Sequence, residues 1–220
     1  MGRKVGMVHA GCFNVRLFNE LASEVMPGVE IVHLVDEGLP VMSDKRFREK
    51  VIRRLRWLAF SAEESGAEAV LLTCTAFGRL ADEVKEAVSV PVLSVLEIIT
   101  DEATGTSDRI GILGTHPGTV ASASQMIQEQ AKHDGRQVEV KTSFCPGAFD
   151  ALKREDLITH DRIVLEHLNR LMEEAKAIVV PQPSIDRVIK QVPEAGRKVP
   201  IMPSALLSMQ RLKATLDGPA

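Results

Sequence analysis

The chain has no tyrosine, a single tryptophan and only 4% aromatic residues. So small a supply argues against an aryl-lined pocket, for which Phe13, Phe77, Phe144 and Phe149 are the candidates. Cysteine is scarce as well. Cys12, Cys74 and Cys145 are odd in number and far apart, which excludes a disulfide framework and any C-x-x-C metal spacing. No stretch approaches the roughly eighteen apolar residues of a membrane span. Met1-Gly2-Arg3-Lys4 leads into a short strand rather than a signal peptide. Gly6 stands where N-myristoylation needs Ser or Thr. Neither sign of charge dominates: the net charge is -3 and the pI about 6.1. Nucleic acid and anionic membrane are therefore not expected partners. The expectation is a soluble, cytoplasmic protein.

What is present is a core-forming chain of 220 residues, 45% hydrophobic, enough for one large or two small domains. Short apolar runs alternate with segments of helical spacing. The strands read as Val5–His9, Val29–Leu34, Ala69–Leu72, Val90–Ser94, Arg109–Gly114, Val138–Ser143, Ala177–Val180 and Val199–Pro203. Helical patterns follow most of them, including Phe13–Val25, Asp44–Ser65, Gly78–Val88, Val120–His133, Asp161–Lys176 and Ser204–Leu216. Such alternation predicts an α/β fold with mainly parallel sheets. The basic run Lys45, Arg46, Arg48, Lys50, Arg53, Arg54 and Arg56 reads as a solvated helix face.

The chain also repeats itself. Val5-Gly6-Met7-Val8 matches Ile110-Gly111-Ile112-Leu113 at an offset of 105 residues. Ala69–Leu72 matches Ala177–Val180 at 108, and Val90–Leu93 matches Val199–Met202 at 109. Three matches in the same order predict two pseudo-symmetric, Rossmann-like halves: 1–104, completed by a C-terminal helix at 204–220, and 105–203. A cleft between them is the natural reading. At the offset of 108, Cys74 aligns with Gln182.

The chemistry is expected at Val70-Leu71-Leu72-Thr73-Cys74-Thr75-Ala76-Phe77-Gly78, where a strand stops in small hydroxyl residues around one cysteine. Open α/β sheets bind ligands at this edge. A helix amino terminus there favours anions and lowers a thiol's pKa. The bland reading of Cys74 is a small buried hydrophobe. Thr73, Thr75 and Ala76 begin the turn and offer hydroxyl and N–H groups to a carboxylate or enolate, or else simply cap the helix. Thr115, Gly118 and Thr119 form the matching turn of the second half, with Thr119 an alternative cap. Cys12 and Cys145 read as structural.

Two α/β halves, Thr73-Cys74-Thr75 at the end of the third strand, and Gly111-Ile112-Leu113-Gly114-Thr115 with Thr119 opening the second half together resemble the aspartate/glutamate racemase superfamily. That superfamily includes glutamate, aspartate and hydantoin racemases, maleate isomerase and arylmalonate decarboxylase. The resemblance implies a small-molecule carboxylate substrate, no metal or organic cofactor, a dimer by family habit, and one proton-transferring cysteine from each half in the racemases. It also places Asn14 where a substrate-orienting polar group belongs, with a local cap as the alternative. The second cysteine is missing here. Its position reads Pro181-Gln182-Pro183-Ser184, and Gln182 has no titratable proton. The implied chemistry is therefore of a single-thiol type, isomerase or decarboxylase, with Cys74 as acid or base and Gln182 and Ser184 hydrogen-bonding the substrate. True racemisation would need another acid, and His9 and His116, at matching strand ends, or a water are the candidates. The alternative outside catalysis is a protein that binds a small acid without turning it over. His33, His133, His160 and His167 carry no pattern.

Overall fold

The computed structural model describes residues 2–42 and 44–218. Met1, Ser43, Pro219 and Ala220 lie outside the described residues. The chain forms two compact units, Met1–Ile98 with Ala205–Ala220, and Ile99–Ser204.

In the first unit the chain runs β1 (Lys4–His9), α1 (Val15–Val25), β2 (Glu30–Val35), α2 (Arg48–Glu64), β3 (Val70–Leu72), α3 (Ala81–Lys85), β4 (Val92–Ser94) and the start of α4 (Val95–Thr106). The strands pair in parallel in the order β2-β1-β3-β4. Alternation along β1 sorts the core into two faces. Val5 and Met7 pack with Phe18 and Leu21 of α1 and with Met209 and Leu212. Val8 packs on the other face with Leu55 and Ala59 of α2. α1 begins later than the Phe13–Val25 pattern predicts. Cys12–Asn14 form a 3-10 turn, Phe13 is exposed, and Phe18, Leu21 and Ala22 supply the buried stripe.

The second unit runs through β5 (Arg109–Gly114), α5 (Pro117–His133), β6 (Glu139–Phe144), α6 (Ala148–Lys153), α7 (Leu157–Glu174), β7 (Ala177–Val180), α8 (Pro183–Ile189) and β8 (Ile201–Pro203), after which α9 (Ser204–Asp217) returns to the first unit. Its sheet has the order β6-β5-β7-β8, again all parallel. α8 has no counterpart in the sequence reading, because Pro183 disguises its start. Proline is at home in the first turn of a helix, where the missing N–H has no partner to lose.

The internal repeat is a repeat of sheet register. Gly6, Val70 and Val92 form one row across the first sheet, and Gly111, Ile178 and Ile201 form the equivalent row across the second. The two glycines are matched for a packing reason. A Cβ on Gly6 would lie 2.4 Å from Ala62 Cβ, and one on Gly111 would lie 2.8 Å from Leu171 Cγ. Each glycine lets a long helix settle directly on the sheet.

Candidate active site

In a parallel sheet ordered β2-β1-β3-β4, strands are added first to one side of β1 and then to the other, and the carboxyl ends of β1 and β3 flank the crevice at which sheets of this kind bind ligands. β1 ends at His9 and β3 ends at Leu72, so Asn14, Thr73, Cys74, Thr75 and Ala76 all gather at this edge.

Cys74 has extended backbone and opens a 3-10 turn, Thr75–Leu80, not the α-helix that its neighbours predict. The turn packs tightly on the start of α4: a Cβ on Gly78 would lie 2.4 Å from Leu96 Cβ and 2.7 Å from Ser94 Oγ. Cys74 is half-buried as a residue. The Ala76 and Phe77 N–H groups stabilise a negative sulfur, as a helix amino terminus would. Burial outweighs them and pushes the thiol up to about 11. The expected low thiol pKa is therefore corrected: desolvation of the anion is larger than the pull of two amides. Cys74 rests as a neutral thiol.

Thr73 does not cap the turn. Its hydroxyl lies 3.0 Å from Val8 O and 2.9 Å from His9 Nδ1, fully buried. Thr75 is buried and Ala76 exposed. His9, placed by the sequence among substrate-binding groups, is a core residue instead. It has no exposed surface, and its Nε2 lies 2.9 Å from His33 Nδ1, so both ring nitrogens are engaged. Burial, reinforced by the neighbouring His33, lowers its pKa to about 3. His9 cannot offer a proton to a ligand in this arrangement.

Asn14 shows the opposite behaviour. It is 8% exposed, makes no capping bond to α1, and its Oδ1 has no hydrogen-bond partner. A buried amide oxygen left unpaired costs roughly 1–3 kcal/mol. The local-cap alternative is removed. Cys12 is exposed and its N–H donates to Glu37.

In the second unit the corresponding edge is closed by its own side chains. Gln182 Oε1 accepts from the Thr115 N–H at 2.6 Å and the His116 N–H at 3.2 Å, while Nε2 donates to Thr115 Oγ1 at 3.0 Å. Three of its four hydrogen-bonding positions are engaged inside the protein. Thr119 is buried in the first turn of α5 and is not its cap, which is His116. His116 and Gly118 are exposed, and Ser184 is half-buried in the first turn of α8. Cys145 is fully buried, with its thiol pushed up to about 12 by burial, as a structural cysteine would be.

Residues 10–204 match the Asp/Glu/Hydantoin racemase family. The chain belongs to the Asp/Glu/Hydantoin racemase family. It is an enzyme of that superfamily, and solved structures show the same fold. Glutamate racemase from Francisella tularensis subsp. tularensis SCHU S4, in complex with D-glutamate, superposes with a TM-score of 0.74 at 16% identity, over 98% of this chain and 81% of its own. Aspartate racemase from Picrophilus torridus gives 0.74 at 14% identity, over 97% and 95%. A mutant arylmalonate decarboxylase in its sulfate-associated form gives 0.64 at 14% identity, over 99% and 94%. No curated protein matches the chain by sequence.

Within this racemase-family chain the sequence missed His33 and Asn19. His33 Nε2 lies 3.0 Å from Asn19 Oδ1 of α1. Only the β1–β2 register, which sets Met7 beside His33, brings that ring to His9, and no local pattern announces it. The basic run on α2 is a surface feature: Arg54 pairs with Asp36, Arg48 with Glu83 and Arg56 with Glu86. A surface hollow of about 580 Å3 lies beside it, lined by Arg53, Trp57 and Phe60 and by Asp36, which follows the end of β2.

Proposed function

We propose that this protein is a single-thiol carbon-acid enzyme acting on a small carboxylate, with Cys74 as the proton donor. The observation that carries the reading is the position of the half-buried Cys74 at the β1/β3 edge, where burial holds its thiol up at about 11, while its counterpart Gln182 has no titratable proton and is engaged with Thr115. A neutral thiol is the correct form for giving a proton to a carbanion or enolate. In a decarboxylation the C–C bond to the carboxylate breaks, its electron pair stays on the substrate carbon, and CO2 leaves. The Cys74 S–H proton then forms the new C–H bond, and water reprotonates the thiolate. The unpaired Asn14 Oδ1 supplies an acceptor for a substrate hydroxyl or N–H group. N–H groups at the start of the Thr75–Leu80 turn stabilise charge as it develops.

With one thiol, protonation comes from one face, so a single stereoisomer is the expected product. The isomerase variant of this reading uses the same thiol with no bond to CO2 broken. A racemase would need a second acid. His9 is engaged internally, which leaves the exposed His116 as the remaining histidine candidate.

The test is proton NMR in D2O with substituted malonates, maleate, amino acids and hydantoins, comparing wild type with Cys74→Ala. Loss of CO2, or solvent deuterium incorporated at one face, by wild type alone is the expected result. Deuterium incorporation with full racemisation would replace the single-thiol reading with a two-acid one.

A further inference from the structure

We propose that Asn19, His33, His9 and Thr73 form a directional hydrogen-bonded relay that positions the Thr73–Cys74 strand end, and that a proton taken up at His33 reverses the relay through to Thr73. The proposal concerns the scaffold of the site and stands whether or not the reaction above is the right one.

The chain of contacts is continuous from surface to core. Asn19 is exposed on α1, and its Oδ1 lies 3.0 Å from His33 Nε2. His33 is half-buried on β2, and its Nδ1 lies 2.9 Å from His9 Nε2. His9 Nδ1 lies 2.9 Å from Thr73 Oγ1, which is also 3.0 Å from Val8 O. A neutral imidazole has one donor and one acceptor, so fixing one end fixes every link. Asn19 Oδ1 can only accept. With both rings neutral, His33 Nε2–H must therefore donate to it, His9 Nε2–H must donate to His33 Nδ1, and the Thr73 hydroxyl must donate to His9 Nδ1. Val8 O loses the hydroxyl in that state but keeps the Thr73 N–H at 3.0 Å.

Adding one proton from water changes every link beyond Asn19. A doubly protonated His33 donates from both nitrogens, so His9 must accept at Nε2. The single ring proton of His9 is relocated to Nδ1, where it donates to Thr73. Thr73 keeps its own proton and turns it to Val8 O. All of the observed contacts are then hydrogen bonds at once. The two states share one set of heavy-atom positions, and with Asn19 Oδ1 held against Nε2 a proton on His33 selects between them.

Surrounding charges leave the choice to the relay. On α1, Arg16 pairs with Glu20, and Glu24 is exposed. Asp36 pairs with Arg54 of α2, Glu37 accepts from the Cys12 N–H, and Lys4 pairs with Glu30 at the far ends of β1 and β2. Burial holds His33 below its ordinary pKa, and burial with the neighbouring ring does the same to His9, so the neutral direction prevails at pH 7.

The experiment is long-range 15N NMR of the histidine rings in the full chain, across pH, for wild type, Asn19→Asp and Asn19→Leu. Asn19 is exposed, so both substitutions spare the core. At pH 7.5 the wild type should show Nε2–H tautomers at both rings. On acidification His33 should become doubly protonated, and His9 should switch to the Nδ1–H tautomer at the same midpoint. Asn19→Asp, which favours charged His33, should raise that midpoint by a pH unit or more, and Asn19→Leu should leave His9 a tautomer mixture at pH 7.5. A His9 tautomer that ignores His33 titration, or that is identical in all three proteins, overturns the relay. No substrate enters the measurement, so its failure is distinct from failure of the proposed reaction.

Discussion

Gln182 Oε1 lies 2.6 Å from the Thr115 backbone nitrogen and bridges the ends of β7 and β5. At the residue equivalent to Cys74, the second unit has a side chain that holds its own turn together. The contrast between a titratable thiol with no side-chain partner role in its turn and an amide engaged on three sides is the physical basis for reading one half as chemically active.

Gln182→Ala should therefore be a stability variant. It leaves the buried Thr115 N–H and hydroxyl without their partner, at roughly 1–3 kcal/mol for an unsatisfied group. Urea unfolding should show the loss, whereas an unchanged midpoint would mean that water replaces the amide freely.

Asn14→Leu should separate stability from function. The Asn14 Oδ1 makes no hydrogen bond, so an apolar replacement of similar size should leave stability unchanged or slightly higher. Turnover of a substrate identified in the D2O panel should fall through a raised KM. Loss of stability by more than about 1 kcal/mol in denaturant would show the oxygen to be satisfied.

Cys74 should be slow to alkylate at neutral pH, with a rate that climbs steeply towards pH 10 and a midpoint near its raised pKa of about 11. Mass spectrometry of iodoacetamide-treated protein measures each cysteine separately. A midpoint below pH 8 at Cys74 would mean that the amides of Ala76 and Phe77 outweigh burial after all.

Acid should destabilise the first unit through His9. Its folded pKa is about 3 against an ordinary 6.5, so the folded state binds fewer protons than the unfolded chain between those values. The stability is fully present above pH 6.5 and declines as pH falls through 6.5 towards 3. By pH 5 the loss from this one buried ring is about 2 kcal/mol, at about 1.36 kcal/mol per pH unit. Denaturant unfolding at pH 7.5 and pH 5 should show it, and His9→Phe should flatten the difference.

Gly6→Ala should cost about 1–3 kcal/mol by overpacking, because the new methyl meets the Ala62 Cβ at 2.4 Å, a short group that cannot swing aside. Gly111→Ala should cost less, since the atoms it meets include the flexible Leu171 side chain. Thermal unfolding of the pair tests the order.

Much of the fold was legible from the residues. Runs such as Arg109–Gly114 and Ala177–Val180 are buried parallel strands, and their apolar pattern marked both of their ends. The matched offsets around Gly6 and Gly111 carried the duplicated sheet, because register across a parallel sheet leaves the same glycine beneath the same helix. Helix starts were less legible. The 3-10 turns at Cys12–Asn14 and Thr75–Leu80 share the helical spacing of the segments they precede, and α8 hides behind Pro183.

The sequence by itself determined the alternation of strands and helices, the position of Cys74 at a strand end, and the presence of Gln182 rather than a second thiol at the aligned position of the repeat. Those depend on local periodicity and on residue identity, which neighbours cannot alter. Tertiary structure decided the chemistry of the individual groups. It made Cys74 a resting thiol, buried His9 between His33 and Thr73, left Asn14 Oδ1 unpaired and closed Gln182 on Thr115. Hydrogen-bond partners and desolvation come from residues distant in sequence, as His33 is from His9, so burial and pairing appear only when the sheets are assembled.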